Sequence, residues 1–475
     1  MRTEEVRVIQ IDARSSRPLY EQIYEDLRRQ ILAGTLPAGM RLPATRTLAA
    51  DYHVARNTVT AAYAQLVSEG YARSIVGSGY YVEHIPQMEG AAAVVRQEPA
   101  AAKKPASHHE PRYSFQYGSL DLNVYRTKEF RRCLRDAFAQ LEGHANLSYA
   151  NPQGEVALRE ALAKMLAASR GVNATAGQVY VTGGVQHALR QVTDLLPRER
   201  YAFAIEEPGY SGARDVFARM GYRVIPVPLD ANGIDVEQLA GVSHAIVYVT
   251  PSHQFPMRQV LPAPRRIQLQ RWAEATDSFI IEDDYDSELR YRERPIPSLQ
   301  SMDGSDRVIY LGTFSKSLSP DLRVSYMVLP RRLHVDFGDY YSYFGSSVPT
   351  YEQLALAAYL ESGAYSRRIN YVRTAMGKRH DLILQTLASD LPNKVQVHGT
   401  GGGVHFVLEL DTELSQEQIL ASILQDEIGV MPMGVFWSDG SKCPHNQVLI
   451  GYGAIGLQQL PEYLDALVGS LRRWM

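Results

Sequence analysis

The 475-residue chain predicts a multidomain protein: a small winged helix-turn-helix, a tether, and a large layered α/β domain. Three observations carry this reading. Residues 1–84 contain three short helical patterns and a hairpin pattern. Residues 85–112 are rich in Ala and Pro without a sustained period, as expected of a flexible, partly extended linker. From residue 113 to 475, short apolar strands alternate with helical patterns, the order of a sheet covered by helices. The length exceeds what a single core ordinarily organises.

Composition narrows the class. Hydrophobic residues make up 45% and charged residues 21%, which describes an ordinary globular protein. The net charge of −3 gives no global basic field, so any nucleic-acid footprint must be local. Cys133 and Cys443 offer neither a disulfide framework nor metal-ligand spacing, which favours a reducing cytoplasm. The N-terminus lacks an apolar signal core, and no apolar run approaches membrane length. No membrane partner is expected.

In the first module, Leu19, Ile23, Leu27 and Ile31 recur every four positions, predicting a helix over 18–34 that Pro37 and Gly39 break. A second helix is expected over 44–52, then a tight turn at His53-Val54 and a third helix over 55–69. The apolar stripe of the third is Val59, Tyr63, Leu66 and Val67; its first turn carries Arg56, Asn57, Thr58 and Thr60. Residues 71–82 alternate like a hairpin around Gly77-Ser78-Gly79. Polar and basic residues on the first turn of the last helix suit phosphate and base-edge contacts in a major groove. Residues 1–84 hold ten Arg, no Lys and nine acids, a net of +1. From Pro18 to Val82 the sequence resembles a GntR-type DNA-binding domain over its whole length. The resemblance implies phosphate and base contacts by Arg41, Thr45, Arg46, Arg56, Asn57 and Thr58. It also makes Gly77 a wing tip near the minor groove, and double-stranded operator DNA the partner.

In the tether, the pair His108-His109 invites a metal reading. No further ligands stand at suitable spacing, so no metal is expected.

The large region is organised around 308–330, VIYLGTFSKSLSPDLRVSYMVLP. An apolar strand gives way to a Gly/Ser/Thr turn carrying one lysine, Lys316, and Arg323 follows seven residues later. Such a lysine can form a Schiff base with an aldehyde, and the arginine can clamp a phosphate. Upstream, FIIEDDYDSE runs apolar residues straight into acids around Tyr285. A carboxylate there can hold a cationic ring nitrogen, and a phenol can bond a ring hydroxyl; pyridoxal 5'-phosphate requires this set. Strand 179–182 is followed by Gly183-Gly184 at a helix start, where backbone N–H groups can receive an anion.

Taken together, these motifs resemble the fold-type I aminotransferases. By that resemblance Lys316 carries the cofactor, Asp283 pairs with its ring nitrogen, and Tyr285 donates to its ring hydroxyl. Gly184, Val185, Gln186, Thr313 and Arg323 contact the phosphate, and Tyr210 stacks on the ring. Tyr149, in NLSYANPQG, matches the tyrosine that reaches the neighbouring subunit's phosphate, implying a homodimer of the domain-swapped kind. In TPSHQFPMR, His253 takes the place of the ring-hydroxyl asparagine.

Joined to the GntR-type module, TPSHQFP extends the resemblance to the MocR/GabR-type transcriptional regulators, over essentially all 475 residues. The carboxylate-binding arginine of aminotransferases falls here on Leu449; Arg258, Arg214 and Arg292 remain as substitutes. The resemblance implies a pyridoxal-phosphate-dependent regulator that senses an amine, an amino acid or a vitamer. It has no catalytic residues of its own and at most residual half-transamination. Two alternatives stay open: a sensor of pyridoxal phosphate itself, and a working aminotransferase with an appended DNA-binding domain.

Overall fold

The computed structural model describes residues 9, 11, 12, 15, 17–85, 111–125, 127–143, 149–291, 296–341 and 343–473. The chain divides into two compact units, Met1–His108 and His109–Met475. Most of the expected tether, including His108-His109, lies outside the described residues, as does Arg292.

The first unit contains α1 (Leu19–Leu32), α2 (Thr45–Asp51) and α3 (Arg56–Ser68), then a hairpin of β1 (Ala72–Ile75) and β2 (Gly79–Val82). The four-residue spacing on α1 does bury Ile23, Leu27 and Ile31, but Leu19, at the first helical position, stays open to solvent. These side chains meet Leu48 and Ala49 of α2, and Val59, Ala62, Tyr63 and Leu66 of α3. The Tyr63 hydroxyl is satisfied by donating to the Pro43 carbonyl at 3.0 Å. His53, at φ 52°, makes the left-handed turn between α2 and α3. The hairpin registers Ala72 opposite Val82 and Ile75 opposite Gly79. Gly77 lies at its tip with φ 76°.

The second unit opens with a short strand, β3 (Tyr113–Ser114). Its main sheet is built from β4 (Val179–Thr182), β5 (Ala202–Glu207), β6 (Val224–Asp230), β7 (Gly233–Ile234), β8 (Ala245–Val249), β9 (Phe279–Asp284), β10 (Val308–Thr313) and β11 (Ser325–Val328). The order is β4-β11-β10-β9-β8-β5-β6-β7. Strands β6, β5, β8, β9 and β10 pair parallel, whereas β11 runs antiparallel to both neighbours. Helices on both faces explain why the central strands are apolar throughout rather than alternating.

The late region has β12 (Val395–His398), β13 (His405–Leu410), β14 (Ile428–Gly429), β15 (Met431–Pro432) and β16 (Gln447–Gly451). Four of these form a smaller sheet in the order β12-β13-β16-β15, while β14 pairs with β3. The pairing of β3 with β14 ties the start of this unit to its late region. Helices Ala364–Asp390, Gln416–Gln425 and Leu460–Leu471 cover this sheet over a core that includes Ile383, Phe406, Ile423, Ile450 and Leu464.

Three of the acids expected just beyond a strand, Glu282, Asp283 and Asp284, are in fact the end of β9, and all three are buried. Strand alternation sends them to opposite faces. Glu282 accepts the backbone N–H groups of Leu299 and Gln300 at 2.7 and 2.8 Å. Asp284 pairs with Arg170 at 2.7 Å and accepts from Tyr310 at 2.6 Å. Asp283, between them, points the other way.

Candidate cofactor site and nucleic-acid interface

A cavity of about 290 Å3 lies where β9 and β10 end, the edge at which parallel sheets ordinarily bind ligands. Its lining includes Val185, Gln186, Tyr210, Asp283, Tyr285, Thr313, Lys316 and Arg323. Four stretches of the sequence, 185–186, 210, 283–285 and 313–323, thus converge on one space.

Asp283 forms the polar floor. Tyr248 donates to its Oδ2, while Oδ1 is buried and has no partner among the described residues. Burial pushes this carboxyl up to about 7, with the Tyr248 bond opposing. An unpaired carboxylate oxygen in such a place calls for a cationic N–H.

Lys316 extends its amine over the ring of Tyr117, 4.1 Å from the centroid. Burial lowers the amine to about 8, with Asp286 acting in the opposite sense. A lysine so shifted has an appreciable neutral fraction near neutrality and can attack a carbonyl.

The anion cradle is built from backbone and side chain together. Gly184, at φ 104°, precedes helix Val185–Leu195. A Cβ at Gly184 would stand 2.5 Å from Nη2 of Arg323, so glycine there lets the guanidinium close on the helix N-terminus. Arg323 is itself left-handed, at φ 52°. Thr313 is fixed by Ser325, whose hydroxyl donates to Thr313 Oγ1 at 2.8 Å. Amine, carboxylate, phenol and anion cradle match the functional groups of pyridoxal phosphate in chemistry. The residues present fit that group.

His253 does not belong to this set. It is buried with Nδ1 2.8 Å from Asp286 Oδ1, and Phe255 lines the cavity in its stead. The loop geometry explains this. Buried Glu206 accepts from the N–H and hydroxyl of Thr250 at 3.1 and 2.9 Å, and Thr250 Oγ1 accepts from the N–H of Phe255 at 2.8 Å. Gln254 Nε2 donates to the carbonyl of Pro208 at 2.8 Å. With the loop stapled in this way, His253 is turned toward Asp286.

Tyr149 is 97% exposed and does not line the cavity within its own chain. Leu449 on β16 is fully buried in an apolar cluster with Phe255, Val407, Met433 and Phe436. Of the substitute arginines, Arg214 is committed to the carbonyls of Trp437 and Val435, at 2.6 and 3.0 Å. Arg258 is buried behind Tyr285, its Nη1 3.3 Å from the phenol oxygen.

The cavity also contains Tyr117, Tyr248, Thr250, Phe255 and Ser315, which sequence reasoning did not single out. Tyr248 carried a usable signal: a tyrosine inside the apolar strand AIVYV must find a buried partner for its hydroxyl.

In the first unit, Arg56 Nε donates to Thr45 Oγ1 at 3.4 Å, drawing the N-termini of α2 and α3 together. Arg41, Arg46, Arg56 and Asn57 are exposed, and Thr45 and Thr58 partly so. Among the described residues Arg41, Arg46 and Arg56 form no ion pair, whereas Arg17, Arg29 and Arg73 do. Arg41 also packs its guanidinium beside Gly79 of the hairpin. Unpaired cations at the start of an exposed helix have the chemistry to neutralise phosphates.

Fold and sites define a winged helix-turn-helix joined to an aminotransferase-like domain, and comparison with known proteins agrees. Residues 19–82 match the gntR family of bacterial regulatory proteins, and residues 119–440 match aminotransferase class I and II. The chain is 34% identical to the uncharacterized HTH-type transcriptional regulator YhdI of Bacillus subtilis, over 97% of this chain and 98% of that one. It is 31% identical to the probable rhizopine catabolism regulatory protein MocR of Rhizobium meliloti, over 96% and 94% of the two chains. It is 33% identical to the HTH-type pyridoxine biosynthesis transcriptional regulator PdxR of Corynebacterium glutamicum, over 91% of each. Among solved structures, an α-aminoadipate aminotransferase, LysN of Thermus thermophilus, superposes with a TM-score of 0.66 at 26% identity, covering 76% of this chain and 92% of that one. A multiple substrate aminotransferase of Thermococcus profundus gives 0.68 at 24% identity, covering 77% and 92%, a likeness of fold alone. The chain belongs to the MocR-type transcriptional regulators, a GntR-type DNA-binding domain fused to an aminotransferase class I and II domain.

Proposed function

We propose that this regulator holds pyridoxal phosphate on Lys316 and uses the surrounding cavity to sense a small amine, amino acid or vitamer. The observation that carries the proposal is the presence in one cavity of a lowered-pKa lysine and a buried carboxylate whose Oδ1 lacks a partner among the described residues. Bound there, the cofactor supplies an electrophilic carbon for a primary amine. The chain's own residues do the rest. Asp283 holds the ring nitrogen, Tyr285 the ring hydroxyl, and Tyr210 lies against the ring; Arg323, Thr313 and the Gly184–Val185–Gln186 turn hold the phosphate. A ligand that displaces Lys316 alters the contacts of this cavity, and differential contacts of that kind can bias a regulator between two states.

The proposed partners are double-stranded operator DNA at the starts of α2 and α3, a second copy of the chain, and the effector; the proposed compartment is the cytoplasm. The exposed ring of Tyr149 supports the dimer, since an aromatic side chain 97% open suits a role in a neighbouring cofactor cavity. Among the described residues no helix is long and apolar enough to cross a membrane.

Regulation rather than turnover is supported by Leu449. Sustained transamination needs a clamp for the carboxylate of each of two substrates, and the clamp position is part of an apolar cluster. The test is steady-state turnover by the cofactor-loaded protein with amino acid and keto acid pairs. We expect less than about 1 s⁻¹, the low end for enzymes; rates above that make it an enzyme with a DNA-binding appendage. The same apolar position favours one second reading, that pyridoxal phosphate itself is the signal, and the similarity to PdxR supports it. Under that reading the cofactor alone changes operator affinity, and no amine changes it further.

A further inference from the structure

A second cavity, of about 350 Å3, opens between the loop that follows β8 and the turn that follows β12. It is lined by His253, Arg258, Gln259, Arg290 and His398 together with the glycine turn 399–402. No acid lines it among the described residues. His398 is engaged with Glu409 at 2.9 Å.

The other side chains have unmet capacity. Arg258 gives Nη1 to Asp286 at 2.8 Å and to Tyr285 at 3.3 Å. Its Nε and Nη2 are buried and have no acceptor among the described residues. His253 is held through Nδ1 by Asp286, and its Nε2 is buried without a partner among the described residues, as is Oε1 of Gln259. Burial opposes ionisation of Asp286, but Arg258 and His253 outweigh it and hold this carboxyl well below the usual range. An ionised Asp286 fixes the proton of a neutral His253 on Nδ1, leaving a lone pair on Nε2. Residues of the cavity wall thus carry two unmet donors on a cation, and unmet acceptors on His253 and Gln259, among the described residues.

The surrounding backbone is shaped to this arginine. Arg258 is left-handed at φ 63°, and Gly399 and Gly403 have φ of 93° and 80°. A Cβ at Gly399 would stand 2.6 Å from Arg258 Cδ, and one at Gly403 would overlap the guanidinium. Leaving a buried charged donor unmet costs more than leaving a neutral one unmet. A ligand with complementary groups removes that cost.

We propose that this cavity is a second ligand site, separate from the cofactor cavity, for a small α-hydroxy or α-amino carboxylate. The carboxylate is received by Nε and Nη2 of Arg258, and the neighbouring O–H or N–H donates to Nε2 of His253. Neither His253 nor Arg258 lines the cofactor cavity, so the two ligands are held independently. The Arg258–Tyr285 contact is the wall they share.

L-Malate tests this, because it carries a carboxylate beside a hydroxyl and no amine that could react at Lys316. Calorimetric titration of the full-length protein with L-malate is expected to show binding, with succinate, which lacks the hydroxyl, about three- to tenfold weaker. Arg258→Gln is expected to weaken malate at least tenfold. Gln259→Glu, which sets a charge of the ligand's own sign in the cavity wall, is expected to do the same. Lys316→Ala is expected to bind malate within about twofold of wild type. Absence of malate binding to the wild type overturns the proposal. So does unchanged affinity in Gln259→Glu, which decides the matter even if Arg258→Gln fails to fold. Loss of binding in Lys316→Ala assigns the acid to the cofactor cavity and overturns the second site, while leaving the cofactor reading intact.

Discussion

Tyr248 donates its phenolic hydrogen to Oδ2 of Asp283, and Oδ1 of the same carboxylate is buried without a partner among the described residues. One oxygen is thereby fixed in direction and the other left for a ligand. The arrangement costs stability when nothing is bound, since burial raises the carboxyl to about 7.

That cost has a pH signature. A carboxyl whose folded value lies above its unfolded value contributes stability below the unfolded value and loses it as pH rises through the folded one. For Asp283 the window runs from 3.8 to about 7. Without cofactor, Asp283→Asn is therefore expected to be more stable than wild type at about pH 8, by roughly 1–3 kcal/mol, and equal to it near pH 4. Denaturant unfolding at the two pH values measures this. Cofactor affinity in the same variant falls, because a neutral amide pairs less strongly with a cationic ring nitrogen.

Gly184→Ala tests the anion cradle. The substitution places a methyl group against the Arg323 guanidinium in a conformation that costs an alanine about 1–3 kcal/mol. Displacing the guanidinium removes a charge-assisted bond to phosphate, so the dissociation constant of pyridoxal phosphate is expected to rise about tenfold or more. Equilibrium dialysis with Gly184→Ala and wild type gives the ratio; an unchanged constant removes Arg323 from the phosphate site.

On the DNA side, Arg46→Ala and Arg56→Ala are expected to weaken operator binding and leave the visible absorbance of the bound cofactor unchanged. Loss of a phosphate contact lowers the salt slope by about one, whereas loss of a base contact relaxes specificity by about 1–3 kcal/mol. Gel-shift titrations at several salt concentrations separate the two cases. Wild-type affinity in both variants excludes the starts of α2 and α3 as the reading surface.

Much of this was legible in the sequence because the informative residues sit in local, ordered settings. Lys316, Asp283 and Tyr285 each follow or end an apolar strand, and parallel strands bring such ends together at one edge. The helix-turn-helix was legible for a similar reason: its apolar spacing and glycine turns are local signals. Tyr117 and Phe255 were not legible, because their place in the cavity depends on loops closed by distant partners. His253 was misplaced for that reason. Its direction is decided by Glu206 and Gln254 stapling the loop and by Asp286 receiving the ring, none of which a spacing reveals. Arg258 is one of three candidates to offset Leu449; only the fold shows that Arg214 is committed to carbonyls while two donors of Arg258 meet no acceptor among the described residues.

Every role proposed for the cofactor cavity depends on Lys316 being the residue that carries the cofactor. Borohydride reduction of the full-length protein loaded with pyridoxal phosphate, followed by peptide mapping, tests this directly. The expected result is a single cofactor-bearing peptide containing Lys316, and no such peptide in Lys316→Ala, although that variant still retains the cofactor weakly through Arg323 and the helix N-terminus. A cofactor fixed on any other lysine, or no fixation by the wild type, contradicts it.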